Sequence, residues 1–442
     1  MIKITKLMHY GIATGAALLF AGTSMAGDDK CVVIDDKCPV ECCKEDPSWC
    51  GLFKKSTLYK NEENCFVQKV SLAGRYHGQY LGQSIDHSSG QSFGSQYWEH
   101  RRFRLGAKVQ FLNDFTFFNN WNIGDSNEQG ENLAAGDFFG TIDEMYIKWE
   151  PSNFAVEGFY VTVGKQKQKI TREFSTSSKQ ILTFERSHIV NETTDTKAWG
   201  VATGFKALGL KHEVGAWLGG FDESADGSGP NWADFDSRGG ASYRAEYGLN
   251  DNTDIHFDYL FSNNSNGDIS AQGNADALAL SNYNHVIALG TESSWDLGHC
   301  DRKFGLITDV IWGRDRTARS GNEIIGAGSN DAAAGQDTTG FVIMPYIDLT
   351  ERLQLVGKYA YADFARMQRT QRRAFERNGE SRPVMEDVHT LYLGLNYRLC
   401  GDNLKLMAGY EYLSADMFTA PNSVDQGSLT GDSWMLGIRT YF

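Results

Sequence analysis

The chain has 442 residues, with 47 Gly, 26 Phe, 19 Tyr, 10 Trp and only 7 Pro, and a formal net charge of −14. That acidity excludes a nucleic-acid footprint, which wants a basic surface, and no run after the first residues reaches the roughly 18 apolar residues of a membrane helix. Turn-forming glycines and strand-forming aromatics leave a large exported β protein, either a soluble sandwich or an outer-membrane barrel.

The first 26 residues read as an export signal: Lys3 and Lys6, an apolar run from Gly11 to Ala21, and the small-residue site Ser24-Met25-Ala26. Cleavage there would start the mature chain at Gly27 and move the charge to −16. Residues 27–66 form a small cysteine-rich segment, expected to be periplasmic, with Cys31, Cys38, Cys42, Cys43, Cys50 and Cys65; Cys300 and Cys400 lie far downstream. An even count in an exported chain argues for disulfides, whereas no spacing gives two Cys-x-x-Cys pairs for a metal.

From about Val70 the pattern alternates strictly. Val70, Leu72, Tyr76 and Tyr80 share a greasy face, and Ser71, Arg75, His77 and Gln79 a wet one. The same period recurs at Phe103 to Val109 against Arg102, Arg104 and Lys108, at Leu391 to Tyr397, at Leu404 to Tyr412, and at Trp434 to Phe442. Sixteen strands are predicted, starting near residues 68, 98, 114, 141, 154, 198, 209, 239, 253, 282, 303, 339, 352, 387, 403 and 433. Seven short links, near Asn113, Pro151, Leu208, Asn250, Gly298, Thr350 and Gly401, alternate with eight long ones, near 81–96, 124–139, 165–197, 219–238, 262–281, 313–338, 364–386 and 414–432. Long loops at one end and short turns at the other describe an all-β transmembrane antiparallel barrel over residues 67–442, not a sandwich. Pro345 within FVIMPYIDL predicts a bulge or a shifted boundary. Aromatics near strand ends (Tyr76, Tyr80, Trp149, Tyr247, Tyr412, Trp434) suit interfacial girdles.

Against the acidic total, Gly164 to Ser187 gathers Lys165, Lys167, Lys169, Arg172, Lys179 and Arg186 with only Glu173 and Glu185. The terminal WMLGIRTYF resembles the β-signal of outer-membrane barrels. RRFRLGAKVQ (101–110), VTVGKQKQK (161–169) and TSSKQILTFERS (176–187) resemble, in that order, the phosphate-selective porin O and P family, most specifically at Ser177-Ser178-Lys179 and Phe184-Glu185-Arg186. The resemblance implies a trimeric, sixteen-stranded anion channel whose third loop, near 165–197, folds into the lumen with its basic residues. Expected partners are small phosphate-like anions and outer-membrane lipid, with no cofactor, no metal and no nucleic acid.

Selecting an anion takes fixed positive charge where water is scarce. The anion-binding residues expected are Arg75, Arg102, Arg104, Lys108, Lys165, Lys167, Lys179 and Arg186, unless they merely balance lumenal carboxylates such as Glu144, Glu150 and Glu185. Arg366, Arg369, Arg373 and Arg377 sit at helix-like spacing in an outer loop, and Asp222, Glu223, Asp226, Asp234 and Asp236 crowd another. External protease is expected to cut near 227–229 and 326–335, where small residues dominate. Two rival functions remain: a disulfide-crosslinked envelope barrel with general porin activity, or a barrel enzyme. For the latter, GQSFG (90–94) matches Gly-x-Ser-x-Gly but falls between strands rather than at a strand-to-helix elbow. Each turn cysteine, Cys300 and Cys400, is expected to pair with the N-terminal segment, with another subunit, or with nothing.

Overall fold

The structure, a computed structural model, describes residues 47–123, 142–194, 197–218, 239–263, 280–298, 302–316, 336–366, 384–417 and 427–442. Outside the described residues lie the export signal, Cys31, Cys38, Cys42, Cys43, Cys300, the acidic loop from Asp222 to Asp236, Arg369, Arg373, Arg377 and the protease stretches 227–229 and 326–335, together with the side chain of Arg366.

The alternating segments form strands, and each pairs with its chain neighbours. A short β1 (Thr57–Lys60) precedes β2 (Val67–His87), β3 (Ser92–Phe111), β4 (Phe115–Asn122), β5 (Ile142–Trp149), β6 (Tyr160–Lys167), β7 (Lys197–Ala207), β8 (Leu210–Leu218) and β9 (Gly239–Asn250). Then come β10 (Thr253–Asn263), β11 (Tyr283–Asp296), β12 (Lys303–Arg316), β13 (Thr338–Asp348), β14 (Leu353–Arg366), β15 (Val384–Arg398), β16 (Leu404–Met417) and β17 (Ser428–Tyr441). β17 pairs back onto β2, with Leu436 opposite Tyr80, so β2 to β17 close into an antiparallel barrel of sixteen strands. Closure removes the free edges of so large a sheet.

The two faces separate as the period-2 pattern requires. Leu391, Leu393, Leu436 and Trp434 are 56, 57, 54 and 49% exposed on the outer wall, while Tyr392, Asn396 and Met435 of the same strands are buried inside. An outer face this apolar suits lipid, not water. Aromatic side chains gather at the short-turn rim: Phe111 stacks on Phe115, Phe115 on Trp149, Phe154 on Phe159, and Trp295 on Phe304.

Four expectations need correction. Residues 81–96 form no long loop: β2 and β3 run on to a tight turn at 88–91, because Leu81, Ile85, Phe93 and Tyr97 continue the alternation and are buried inside. The strand expected near 154 starts at Tyr160, since Phe154 and Phe159 stack on each other ahead of the ladder. Lys165 and Lys167 stand on β6 and not in a loop. Pro345 makes no bulge: β13 keeps one register with β14 from Ile343–Tyr359 to Tyr346–Val356, and pairs with Leu306 on its other side. GQSFG occupies the β2–β3 turn and the start of β3, where the Ser92 hydroxyl donates to Asp86 at 2.6 Å.

The N-terminal segment does more than precede the barrel. β17 ends opposite Arg75, which leaves the start of β2 without a partner on that side, and β1 fills the row by pairing with residues 69–71. Just before it, the single turn α1 (Gly51–Lys54) follows Cys50, which is disulfide-bonded to Cys400 in the β15–β16 turn, Cα to Cα 5.4 Å. Residues 47–66 are thus tied to the short-turn end, while Cys65, expected from the even cysteine count to be disulfide-bonded, carries a free, exposed thiol. A non-reduced protease digest should therefore contain Cys50 and Cys400 in one linked peptide, and Cys65 should react with maleimide before any reduction. Alkylation of Cys400 under those conditions would contradict the pairing.

Candidate functional site

The segment between β6 and β7 turns inward and crosses the lumen. Its first corner is Thr171, at φ 57°, a conformation rare for a residue with a branched side chain. Carboxylates from the far wall hold that corner: Asp258 accepts from the Thr171 N–H at 2.8 Å, and Asp309 from the N–H of Arg172 at 2.9 Å. These amides open the short helix α2 (Arg172–Ser175), whose N-terminal N–H groups lack intrahelical acceptors. A second short helix, α3 (His188–Thr193), packs against β12, β13 and β14.

Apolar side chains seat the loop. Ile170, Phe174, Phe184, Ile189 and Val190 are buried against inward residues such as Val286, Ile311, Val356 and Met435, and Ile181 is buried as well. Each large aliphatic or aromatic side chain buried this way contributes about 1.5–3 kcal/mol. The basic charge noticed in the sequence is therefore carried on a segment whose attachment is largely hydrophobic.

Polar anchors fix the register. At matched positions across β15, β16, β17, β2 and β3 runs a row of basic side chains: Arg398, Lys405, Arg439, His77 and Arg102. Lys405 donates to the Ile181 carbonyl at 3.0 Å and Arg439 to that of Phe184 at 2.6 Å. Lys358 on β14 donates to the Glu185 carbonyl at 2.9 Å and pairs with Glu173 at 3.4 Å, both charges nearly fully buried. Glu173 in turn accepts from the backbone and hydroxyl of Ser187, at 3.0 and 2.6 Å. None of Lys358, Lys405 and Arg439 is among the anion-binding residues expected from sequence, and all three hold loop backbone.

On the β2–β7 side of the loop lies a cavity of about 780 Å³ lined by ten cationic side chains (Arg75, Arg101, Arg102, Arg104, Lys148, Lys165, Lys167, Lys169, Arg186, Lys197) and four anionic ones (Asp143, Glu144, Glu185, Glu213). A second cavity of about 720 Å³, toward the short-turn end, carries five of each sign. The surplus of positive charge is thus local. Of the expected residues, Arg75, Arg102, Arg104, Lys165, Lys167 and Arg186 line the basic cavity, and Lys108 and Lys179 do not. Lys108 is exposed, and Lys179 reaches the Phe442 carbonyl at 3.5 Å over the Tyr441 ring.

Several of these cations do face carboxylates. Arg104 pairs with Asp143 at 2.8 Å, Lys197 with Asp143 at 2.5 Å and Glu144 at 3.3 Å, and Lys169 with Glu213 at 2.5 Å. Lys148, not a lumenal arginine, takes Glu150, at 2.8 Å. Others donate to backbone: Lys165 to the Ile142 carbonyl at 2.8 Å, Lys167 to those of Phe174 and Thr176 at 2.8 and 3.1 Å, and Arg186 to those of Glu173 and Thr176 at 3.0 and 3.2 Å. A carbonyl partner orients a cation without cancelling its charge, as at Lys167.

Two bulges raise the charge density. In the β2–β3 ladder His77 faces Arg102 while Gly78 faces His100, so Arg101 is an extra residue; in the β4–β5 ladder Asp143 is the extra one. A bulge lets two successive side chains turn to one face, and both Arg101 with Arg102 and Asp143 with Glu144 line the cavity. Arg101 forks onto Glu185, with Nε to Oε1 and Nη2 to Oε2. Strict alternation would put Arg101 outside, so it was missed; the sequence signal is the phase change between buried Tyr97 and Glu99 and buried Arg102. Gly164 sits where β5 and β6 approach closely: at φ 134°, an added Cβ would meet the Met145 carbonyl at 2.2 Å.

Within the loop, burial would push the Glu185 carboxyl up, but Arg101 and Arg102 outweigh it and hold it well below the usual carboxylate range. Burial and then Lys358 push His188 down to about 3, so it stays neutral. Burial, followed by Arg75, pushes the Lys179 ammonium down to about 8. A depressed lysine loses its charge as pH rises through that value. Any contribution of Lys179 to anion preference should therefore be full at pH 6.5 and mostly gone at pH 9.5, and any shift of the wild-type reversal potential that it causes should fall in that window. Lys179→Arg should flatten the shift; an identical pH profile in the variant would exclude Lys179 as its source.

Residues 70–253, from the start of β2 to the start of β10, match the family model of phosphate-selective porin O and P. No curated protein matches the chain. Among solved structures, the outer membrane channel DcaP of Acinetobacter baumannii is similar with a TM-score of 0.53 at 12% identity, covering 87% of this chain and 100% of that one. The anion-selective porin from Comamonas acidovorans gives 0.48 at 14%, covering 84 and 99%, and Salmonella typhi OmpF 0.47 at 15%, covering 87 and 100%. The chain is an outer-membrane β-barrel of porin architecture, and the stretch holding its basic cavity and inward loop is the part that matches phosphate-selective porin O and P.

Proposed function

We propose that this barrel is an anion-selective porin, a passive diffusion path for phosphate-like oxyanions and not an enzyme, assembled as a homotrimer after removal of residues 1–26. The observation that carries the reading is the lining of the loop-bounded cavity, ten cations against four anions in a chain whose net charge is −14. Confined in a low-dielectric wall, such a surplus raises the local concentration of anions and repels cations. Arginine offers a planar fork to oxyanions and lysine a point charge, and both line the cavity. Residues 27–66 then form a periplasmic segment, of which residues 47–66 are tied to the short turns through Cys50. In a planar bilayer, inorganic phosphate added to a chloride solution should reduce the chloride current of the purified channel by occupying the shared path. Chloride current indifferent to phosphate at millimolar concentration would remove the oxyanion part of the reading.

A further inference from the structure

The Arg101–Glu185 pair has no obvious place in an anion channel, because it spends the strongest oxyanion fork of the cavity on a carboxylate of the protein itself. Arg101 grips Glu185 with two nitrogens, Nη2 to Oε2 at 3.0 Å, and Arg102 Nη2 stands 3.9 Å from the same oxygen. Beside this pair, Arg102 Nη1 and Arg75 Nε meet no acceptor of the described protein, although both side chains are 7% exposed and line the cavity. One patch therefore holds guanidinium nitrogens already taken by Glu185 next to buried ones that no carboxylate neutralises by contact. An oxyanion drawn into the cavity by these guanidiniums would lie near the like charge of Glu185, which lines the same cavity.

We propose that Glu185 is a tethered competitor for the permeant anion: it occupies the fork of Arg101 and Arg102 and so sets how weakly the channel holds its cargo. This rests on the anion-channel reading above. A conducting site must attract an ion strongly enough to select it and weakly enough to release it. A carboxylate fixed on the loop gives the second property without removing the cations that give the first. The loop keeps Glu185 in place by contacts that do not involve its carboxylate. Arg439 holds the carbonyl of Phe184, Lys358 that of Glu185, and Arg186 donates to the carbonyls of Glu173 and Thr176. Neutralising the side chain should therefore leave the backbone seated.

The test uses the full-length channel in a planar bilayer, with Glu185→Gln and Glu185→Asp beside wild type. Removing a charge that sits beside the bound anion is expected to lower the half-saturating chloride concentration and the half-inhibitory concentration of inorganic phosphate by about tenfold in Glu185→Gln. Glu185→Asp, which keeps the charge, should stay near wild type. An unchanged or raised half-saturating concentration in Glu185→Gln overturns the proposal. So does a rise in its conductance at high salt, which would mean that the carboxylate merely fastens the loop. Failure of the anion-channel reading shows separately, as a cation-selective reversal potential in the wild type whatever the variants do.

Discussion

Breaking the loop's buried ion pair should loosen the loop that narrows the pore. In Lys358→Met the Glu173 carboxylate keeps its Ser187 contacts but loses its cation, and the Glu185 carbonyl loses a donor. Stranding one charge of a buried pair costs about 3–5 kcal/mol. That cost falls on the seated position of the loop, because the barrel ladders do not depend on it. The apolar seat still favours the seated loop, so single-channel records in concentrated KCl should show more frequent excursions to a higher conductance rather than a lasting rise. Adding Glu173→Gln, which keeps acceptors for Ser187 and removes the stranded charge, should bring the records back toward wild type. Records unchanged in the single variant would mean that the apolar seat alone holds the loop.

The second large effect concerns selectivity. The basic cavity carries ten cations and four anions, a surplus of six. Arg75→Glu, Lys165→Glu and Lys167→Glu together bring that surplus to zero. The account therefore predicts a channel with about equal permeability to chloride and potassium, not a cation channel. Neutralising the same three residues halves the surplus and should weaken anion preference without abolishing it. These three are better probes than Arg102 and Arg104, whose reversal would set new carboxylates beside Glu185 and Asp143. A triple charge reversal that still strongly prefers anions would place the selectivity elsewhere in the lumen.

Much of the architecture was legible because it depends on a local rule. Period-2 alternation and a lipid-facing outer surface reach the number of barrel strands without any long-range information, although the first connection expected to be long is a tight turn. Leu391, Leu393 and Leu395 against Asn396 show this: the outer three are exposed and Asn396 is buried. Local rules fail where a residue is inserted or where a segment's partner is distant in sequence. The extra Arg101 and Asp143 change the phase of a strand within one residue, which no alternation count registers. Lys358 and Glu173 are 185 residues apart, and Arg439 is 255 residues from the Phe184 carbonyl it holds. The resemblance carried by TSSKQILTFERS located the inward loop, because Ser178 accepts from Arg75 and Glu185 from Arg101. It could not tell cations that line the path from those that pin the loop, since that depends on which side of the loop each wall residue meets.

The central claim is that the loop-bounded lumen favours anions, and the zero-current potential of the purified wild-type channel across a tenfold KCl gradient tests it most directly. The account predicts the sign set by chloride permeating faster than potassium, weakening when the charges of Arg75, Lys165 and Lys167 are removed. A potential of the opposite sign, with potassium the faster ion, would contradict it.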